Sequence, residues 1–320
     1  MYLIMEVKDN FLITGGAGFI GTNFIHYLRD NNLANQITVL DNLSIGTKEN
    51  LEGLDVRLVE GDLRNVEDIK DSLWGVTKIV HLAAATSVTE SVKNPQHNFD
   101  VNVIGTYNLL SVANEMGVEC LINASTGGAL FGDVPSPVSE ANVPKPISPY
   151  GSSKLATEAY CSCFSACYDI NAVTVRFSNV YGRYSKDKDT VISLFLNALL
   201  REDPFIVFGD GEQTRDYVFV EDLCEAIYRC TQEHKVLSGE FFQLGAGEPT
   251  SVLELIELIK DVTDTSAIDL NFKPERTGEV KHNYVDISKA KKILGYDPKF
   301  CLKEGLVETW DYMKKKVYVV

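Results

Sequence analysis

Thr14-Gly15-Gly16-Ala17-Gly18-Phe19-Ile20-Gly21 stands between an apolar run ending at Thr14 and a stretch, Gly18 to Asp30, whose apolar residues recur at helical spacing. Glycine lets a chain turn tightly after a strand and lets backbone N–H groups at a helix N-terminus approach a pyrophosphate. Alone, such a pattern decides little. Here it follows a strand, opens a helix and is followed about 20 residues on by Asp41, at the end of the β-branched run QITVLD, where a carboxylate can hold ribose hydroxyls. The combination predicts a dinucleotide site with Gly15, Gly18, Phe19 and Ile20 in its turn. A carboxylate at position 41 repels a 2′-phosphate, and Asn42-Leu43-Ser44-Ile45-Gly46 offers no arginine to bind one, so NAD is the expected cofactor rather than NADP.

Outward from this turn, short β-branched runs alternate with longer amphipathic segments: VRLVEGD, KIVHLA, a helix near Val101 to Met116, ECLINAS, a helix after Tyr150, and AVTVRF. That alternation predicts an α/β fold, a doubly wound parallel sheet (Rossmann) with a smaller, interleaved C-terminal α/β substrate lobe. The expected division is 1–180, with returning segments at about 216–245, for the NAD-binding domain, and 181–215 with 246–320 for the second lobe. Open sheets bind ligands beyond the carboxyl ends of their strands. Two more such ends are Gly61-Asp62-Leu63, where Asp62 can meet an adenine amino group, and His81-Leu82-Ala83-Ala84, whose small residues let backbone approach the cofactor. His81 itself reads as a packed histidine.

Composition narrows the function classes. The 320 residues are 45% hydrophobic and 23% charged, enough for a large core. A formal net charge of −15 argues against a nucleic-acid partner, since phosphate contacts need an excess of Lys and Arg. The start, MYLIMEVKDNFLIT, is interrupted by Glu6, Lys8 and Asp9, unlike a signal peptide, and no stretch approaches membrane-spanning length. A cytoplasmic protein without a membrane partner is expected. Seven cysteines, an odd number without a repeating frame, suggest reduced thiols. Helical spacing scatters Cys161, Cys163 and Cys167 around their axis with no histidine nearby, so no metal site is expected.

Tyr150-Gly151-Ser152-Ser153-Lys154 heads a helical stretch. Residues four apart share a helix face, and an ammonium beside a phenol favours the phenolate. The spacing alone also fits an unremarkable surface pair.

Taken in order, GGAGFIG, DNLSIG, GDL, HLAA, YGSSK and RDYVFVEDL resemble the extended short-chain dehydrogenase/reductase family, and within it the nucleotide-sugar epimerases and dehydratases. The match spans nearly the whole chain, and DNLSIG and TSVTES look particularly like UDP-hexose 4-epimerases. The resemblance implies that Tyr150 is the general base, taking the sugar 4-hydroxyl proton while hydride passes from C4 to NAD, and that Lys154 holds the nicotinamide ribose and lowers the tyrosine pKa. It completes the expected cofactor set with Asn42, Ser44, Gly46, Leu63, Leu82, Thr86 and Asn102.

The family also uses a Ser or Thr to bond the reacting oxygen. Counting back from Phe131-Gly132 puts Gly127 at its usual place, so the role falls to Thr126, or else to Ser125. Sugar 4,6-dehydratases place an Asp-Glu pair directly after that threonine. Gly127 and Gly128 carry no acid, which favours epimerisation. By the same resemblance, the UDP-sugar substrate meets Ser87, Val88, Asn179, Val191, Phe208 and Tyr217, with Arg215 and Arg276 on the pyrophosphate and Glu279 on ribose. Asn283 falls at the gate that faces the sugar C2 substituent. Being smaller than tyrosine, it leaves room for an N-acetyl group, so UDP-GlcNAc/UDP-GalNAc exchange is expected beside UDP-Glc/UDP-Gal; a shift of one residue would put Tyr284 there instead. The alternatives are a UDP-glucuronate 4-epimerase, an NAD(P)H-dependent keto-sugar nucleotide reductase and a catalytically idle NAD-binding regulator. Relatives pair the helices near Val101 to Met116 and after Tyr150, which implies a homodimer.

Overall fold

The computed structural model describes residues 8–186, 188–275 and 280–317. Phe11, Leu12 and Ile13 have no exposed surface, as expected of an apolar run covered on both faces of a parallel sheet. They belong to β1 (Asp9–Thr14), which joins β2 (Ala34–Asp41), β3 (Arg57–Glu60), β4 (Lys78–His81), β5 (Cys120–Thr126), β6 (Asn171–Phe177) and the strand Phe241–Leu244 in one seven-stranded sheet. From one edge the order is Phe241–Leu244, β6, β5, β4, β1, β2, β3. β1 pairs in parallel with β2 and β4, Leu12 lying against Thr38 and Ile13 against Val80, and β2–β3 and β4–β5 continue in parallel. The chain builds from β1 to one edge and then resumes at β4 on the other side. This is the doubly wound arrangement the alternation predicts, with its switch point between β1 and β4.

The chain divides into two compact units. The first comprises 1–125, 146–175 and 227–241, and the second 126–145, 176–226 and 242–320. This division differs from the boundaries drawn on sequence at 126–145, 176–180, 216–226 and 242–245, which pack within the second unit; the Gly127 N–H, for example, donates to the Phe177 carbonyl. Leu12, Leu40, Leu63, Ile69, Leu109, Leu121 and Phe164 share the core of the first unit. The second has its own core, in which Phe195 and Phe205 stack with ring centroids 4.4 Å apart. Its strands are short. Asn179–Tyr181 pairs with Tyr217–Phe219, Phe205–Phe208 with Leu270–Lys273, and Thr214–Arg215 with both Thr250–Ser251 and His282–Asn283.

Caps set the helices that matter. Gly18 is the N-cap of Phe19–Asp30. Pro149–Cys167 starts at Ser148, whose side chain accepts from the Gly151 N–H, with a proline in its first turn. Val252–Thr263 opens on a full capping box of Ser251 and Glu254. The single helix expected near Val101 to Met116 is a π-turn, Asp100–Ile104, running into Gly105–Glu115. Such π-turns recur at functional sites.

Candidate active site

In the first unit the dinucleotide turn closes where the sequence reading puts it. Gly15 has φ +70°, and a Cβ there would stand 2.8 Å from the Ala83 N, so only glycine lets the two strand ends approach. The Gly18 N–H donates to the Gly15 carbonyl, and Phe19 and Ile20 form the first turn of the helix, whose N–H groups lack partners four residues back. Those N–H groups are what a pyrophosphate takes. Asp41 is buried, its Oδ2 accepting from the Ala17 N–H (3.0 Å) and its Oδ1 from Leu43 (2.9 Å), so its carboxylate is fixed directly against the turn. Gly46 packs on the backbone of Ala17 and Gly18. This geometry fits NAD.

Asn42 orients its amide by accepting from the Ser44 N–H and hydroxyl through Oδ1, and its Nδ2 donates to Asp62. Leu63 is buried in the core. The Leu82 N–H donates to the Thr14 carbonyl and that of Ala83 to the Thr14 hydroxyl, while Ala84 is half-buried and Thr86 exposed. Asn102, in the π-turn, accepts from the Ala85 N–H and donates to the Ala85 carbonyl and the Ser153 hydroxyl. Ser153 in turn donates to the Tyr150 carbonyl. Asn102 therefore ties the loop after β4 to the helix that carries Tyr150.

His81 is packed, as expected. Thr106 donates to the Asn102 carbonyl, so its oxygen accepts from His81 Nε2 (2.8 Å), while His81 Nδ1 takes the Thr14 hydroxyl proton (2.7 Å). Burial, with Lys154 adding to it, pushes His81 down to about 3 and keeps it neutral.

Tyr150 and Lys154 lie one turn apart on Pro149–Cys167. Lys154 is only 5% exposed, its Nζ donates to the Ala124 carbonyl at 2.9 Å, and burial lowers its pKa to about 8. Tyr150 is half-buried, and burial raises its phenol to about 12. The lowering expected from Lys154 does not outweigh that burial in the chain itself. The Ser125 hydroxyl is buried without a hydrogen-bond partner among the described residues. Ser87 caps Val88–Lys93, its hydroxyl accepting from Glu90, and Val88 is exposed.

In the second unit the Thr126 hydroxyl accepts from the N–H groups of Gly128 (3.4 Å) and Ala129 (3.3 Å). Gly127 faces inward. A Cβ there would meet Gln243 Oε1, the Phe177 carbonyl and Val285 at 3.0–3.2 Å, so any side chain at this position would have to displace its neighbours. A Cβ on Gly128 would stand 2.6 Å from Asn283 Nδ2. A cavity of about 800 Å³ gathers Asn179, Val191, Phe208, Arg215 and Tyr217. Its wall also includes Lys186, Lys188, Asn197, Arg201 and Gln213, which sequence reasoning missed; the basic YSKDK stretch in an acidic chain was the available signal. The Arg215 guanidinium is held by the carbonyls of Thr214 and Lys281. Arg276 and Glu279 lie outside the described residues. Among the described residues no group of three or more His, Cys, Asp or Glu is arranged to hold a metal, and no helix is long and apolar enough to cross a membrane.

Residues 11–245 match the NAD dependent epimerase/dehydratase family. The chain is 33% identical over 318 residues to a UDP-glucose 4-epimerase of Mycolicibacterium smegmatis, covering 95% of this chain and 98% of that protein. Its structure resembles that of the Thermotoga maritima UDP-glucose 4-epimerase with UDP-glucose (TM-score 0.89, 35% identity, 96% and 99% of the two chains). It also resembles the UDP-N-acetylglucosamine 4-epimerase of Methanobrevibacter ruminantium in complex with UDP-N-acetylmuramic acid (TM-score 0.88, 29% identity, 97% and 99%).

Proposed function

The chain belongs to the NAD dependent epimerase/dehydratase family, and from that premise we propose that it is a UDP-hexose 4-epimerase which interconverts UDP-GlcNAc with UDP-GalNAc and UDP-glucose with UDP-galactose. The observation that carries this reading is the Tyr150–Lys154 pair on one capped helix, the lysine anchored on Ala124, together with the acid-free Gly127-Gly128. An elimination would need a proton donor where these glycines leave none.

NAD, held by the turn from Gly15 to Ile20 and by Asp41, would supply a hydride acceptor for C4 and a second positive charge that favours the phenolate. Tyr150 takes the 4-hydroxyl proton as the hydride leaves and returns it when the hydride comes back to the other face of the 4-keto sugar. Lys154 holds the nicotinamide ribose and adds its charge. The Thr126 oxygen already accepts two backbone N–H groups, so its own proton is the one to give to the reacting oxygen. Arg215 holds the pyrophosphate, and Asn283 with Gly128 leaves space at C2 for an acetamido group. Because the hydride would return to the sugar it came from, the protein would need no added nucleotide.

We also infer a homodimer formed by Gly105–Glu115 and Pro149–Cys167. Tyr107 (42% exposed) and Tyr160 (41%) pack edge to face on these helices, with Phe99 and Ile104 exposed on the π-turn side. Desalted protein given UDP-glucose, UDP-GlcNAc or UDP-glucuronate without added cofactor, with products identified by NMR, tests the function. Turnover of the first two supports it; a requirement for continuous NADH would replace it with a keto-sugar reductase.

A further inference from the structure

Asp62 is more fully occupied than a carboxylate awaiting a ligand. Its Oδ1 accepts from the backbone N–H of Arg64 at 2.9 Å and from Arg64 Nε at 2.8 Å. Its Oδ2 accepts from Arg64 Nη2 at 2.8 Å and from Asn42 Nδ2 at 3.1 Å. An ionised carboxylate offers about four lone-pair sites, so Asp62 is saturated, three of the four by one residue. The backbone is held as well: the Asp62 N–H donates to Asp68 Oδ2, and its carbonyl accepts from Asn65. Arg64 holds the carboxyl well below the usual carboxylate range, first through its side-chain hydrogen bonds, so Asp62 is ionised at any working pH.

Two donors of unequal strength share Oδ2. The guanidinium contact is one arm of a two-point fork, charge-assisted and planar. The Asn42 contact is longer and neutral, and Asn42 remains anchored on Ser44 through its other amide atom when it lets go. The exchangeable position on Asp62 is therefore the one Asn42 holds.

We propose that Arg64 is the positioning residue for adenine recognition: its fork and backbone N–H fix the plane of the Asp62 carboxylate so that one Oδ2 lone pair, shared with Asn42, is presented to the adenine 6-amino group. This rests on the reading that Asp62 meets that amino group. Arg64 acts through Asp62 and contributes to cofactor choice rather than to the hydride step.

The test is a competition between NAD and nicotinamide hypoxanthine dinucleotide, which replaces the 6-amino donor with a 6-oxo acceptor. Holoenzyme is incubated with an excess of both until the bound ratio no longer changes with time, freed of unbound nucleotide and extracted with acid, and the bound ratio is read by chromatography. Wild type is expected to select NAD by about 10- to 100-fold, the range for a hydrogen bond to a charged group. Arg64→Gln is expected to lower that selection to under about threefold with its thermal midpoint and its kcat on retained NAD near wild type. Arg64→Lys keeps the charge and loses the fork, so it is expected to resemble Arg64→Gln; Asn42→Ala frees the shared lone pair and is expected to keep the selection. If wild type shows no selection, the Asp62 reading itself is wrong. If wild type selects NAD and Arg64→Gln or Arg64→Lys selects it equally well, the positioning role is overturned.

Discussion

Lys154 Nζ donates to the carbonyl oxygen of Ala124 at 2.9 Å, so the ammonium on the helix Pro149–Cys167 is pinned to the end of β5. One strand end thereby sets where the charge sits relative to Tyr150, four residues earlier on the same helix. A buried ammonium is costly, and the depression of Lys154 to about 8 from 10.5 records that cost.

Lys154→Met should abolish turnover and yet raise stability at neutral pH. A lysine depressed on folding destabilises the protein fully below about 8, and the cost fades between about 8 and the unfolded value of 10.5. The shift corresponds to at most about 3 kcal/mol, less the hydrogen bond lost at Ala124, so a net gain of about 1–2 kcal/mol is expected at pH 7. The difference in thermal midpoint between variant and wild type should shrink as pH rises from 8 to 10. Wild-type kcat should fall over the same range as the ammonium loses its proton; a midpoint difference that grows with pH would contradict this.

Thr126→Ala should lower kcat by about 100-fold with little change in KM, and Thr126→Ser should keep most of it. Ser125→Ala should stay within about threefold. Steady-state kinetics of the three variants decide between the hydroxyls, and the reverse ranking would move the role to Ser125.

The proposed gate at the sugar C2 substituent has two sides, with Asn283 beside Gly128. Asn283→Tyr should suppress the N-acetylated pair at least about tenfold more than the plain pair. Gly128→Ala, whose Cβ would stand 2.6 Å from Asn283 Nδ2, should displace that amide and shift the same ratio of kcat/KM values without abolishing turnover. Equal losses on both sugar pairs in Asn283→Tyr would remove Asn283 from the gate.

Sedimentation at micromolar concentration should give a dimer, and Tyr107→Glu with Tyr160→Glu a monomer. A wild-type monomer would show that the exposed tyrosines serve another purpose.

Much of this was legible in the chain because local rules carried it. The turn from Gly15 to Gly21 with Asp41, and the one-turn spacing of Tyr150 and Lys154, depend on strand ends and helix periodicity that a sequence displays directly. What escaped depends on contacts between distant residues. Nothing near Gly128 announces that Asn283 fills the space beside it, and the saturation of Asp62 needs Asn42 brought to it from another strand end. The π-turn around Asn102 keeps helical periodicity on both sides, so it read as one helix. Ser87 carries a local signal as well, since its hydroxyl accepts from the Glu90 N–H as a helix cap and keeps its own proton to donate.

The proposed reaction takes hydride from C4 and returns it to the same carbon through retained NAD. Desalted protein should be given C4-deuterated UDP-glucose in ordinary water with no added nucleotide, and the product analysed by NMR and mass spectrometry. UDP-galactose carrying deuterium at C4, undiluted by solvent hydrogen, is the expected product. UDP-galactose formed with its C4 deuterium lost to solvent, or no product until NADH is supplied, would contradict it.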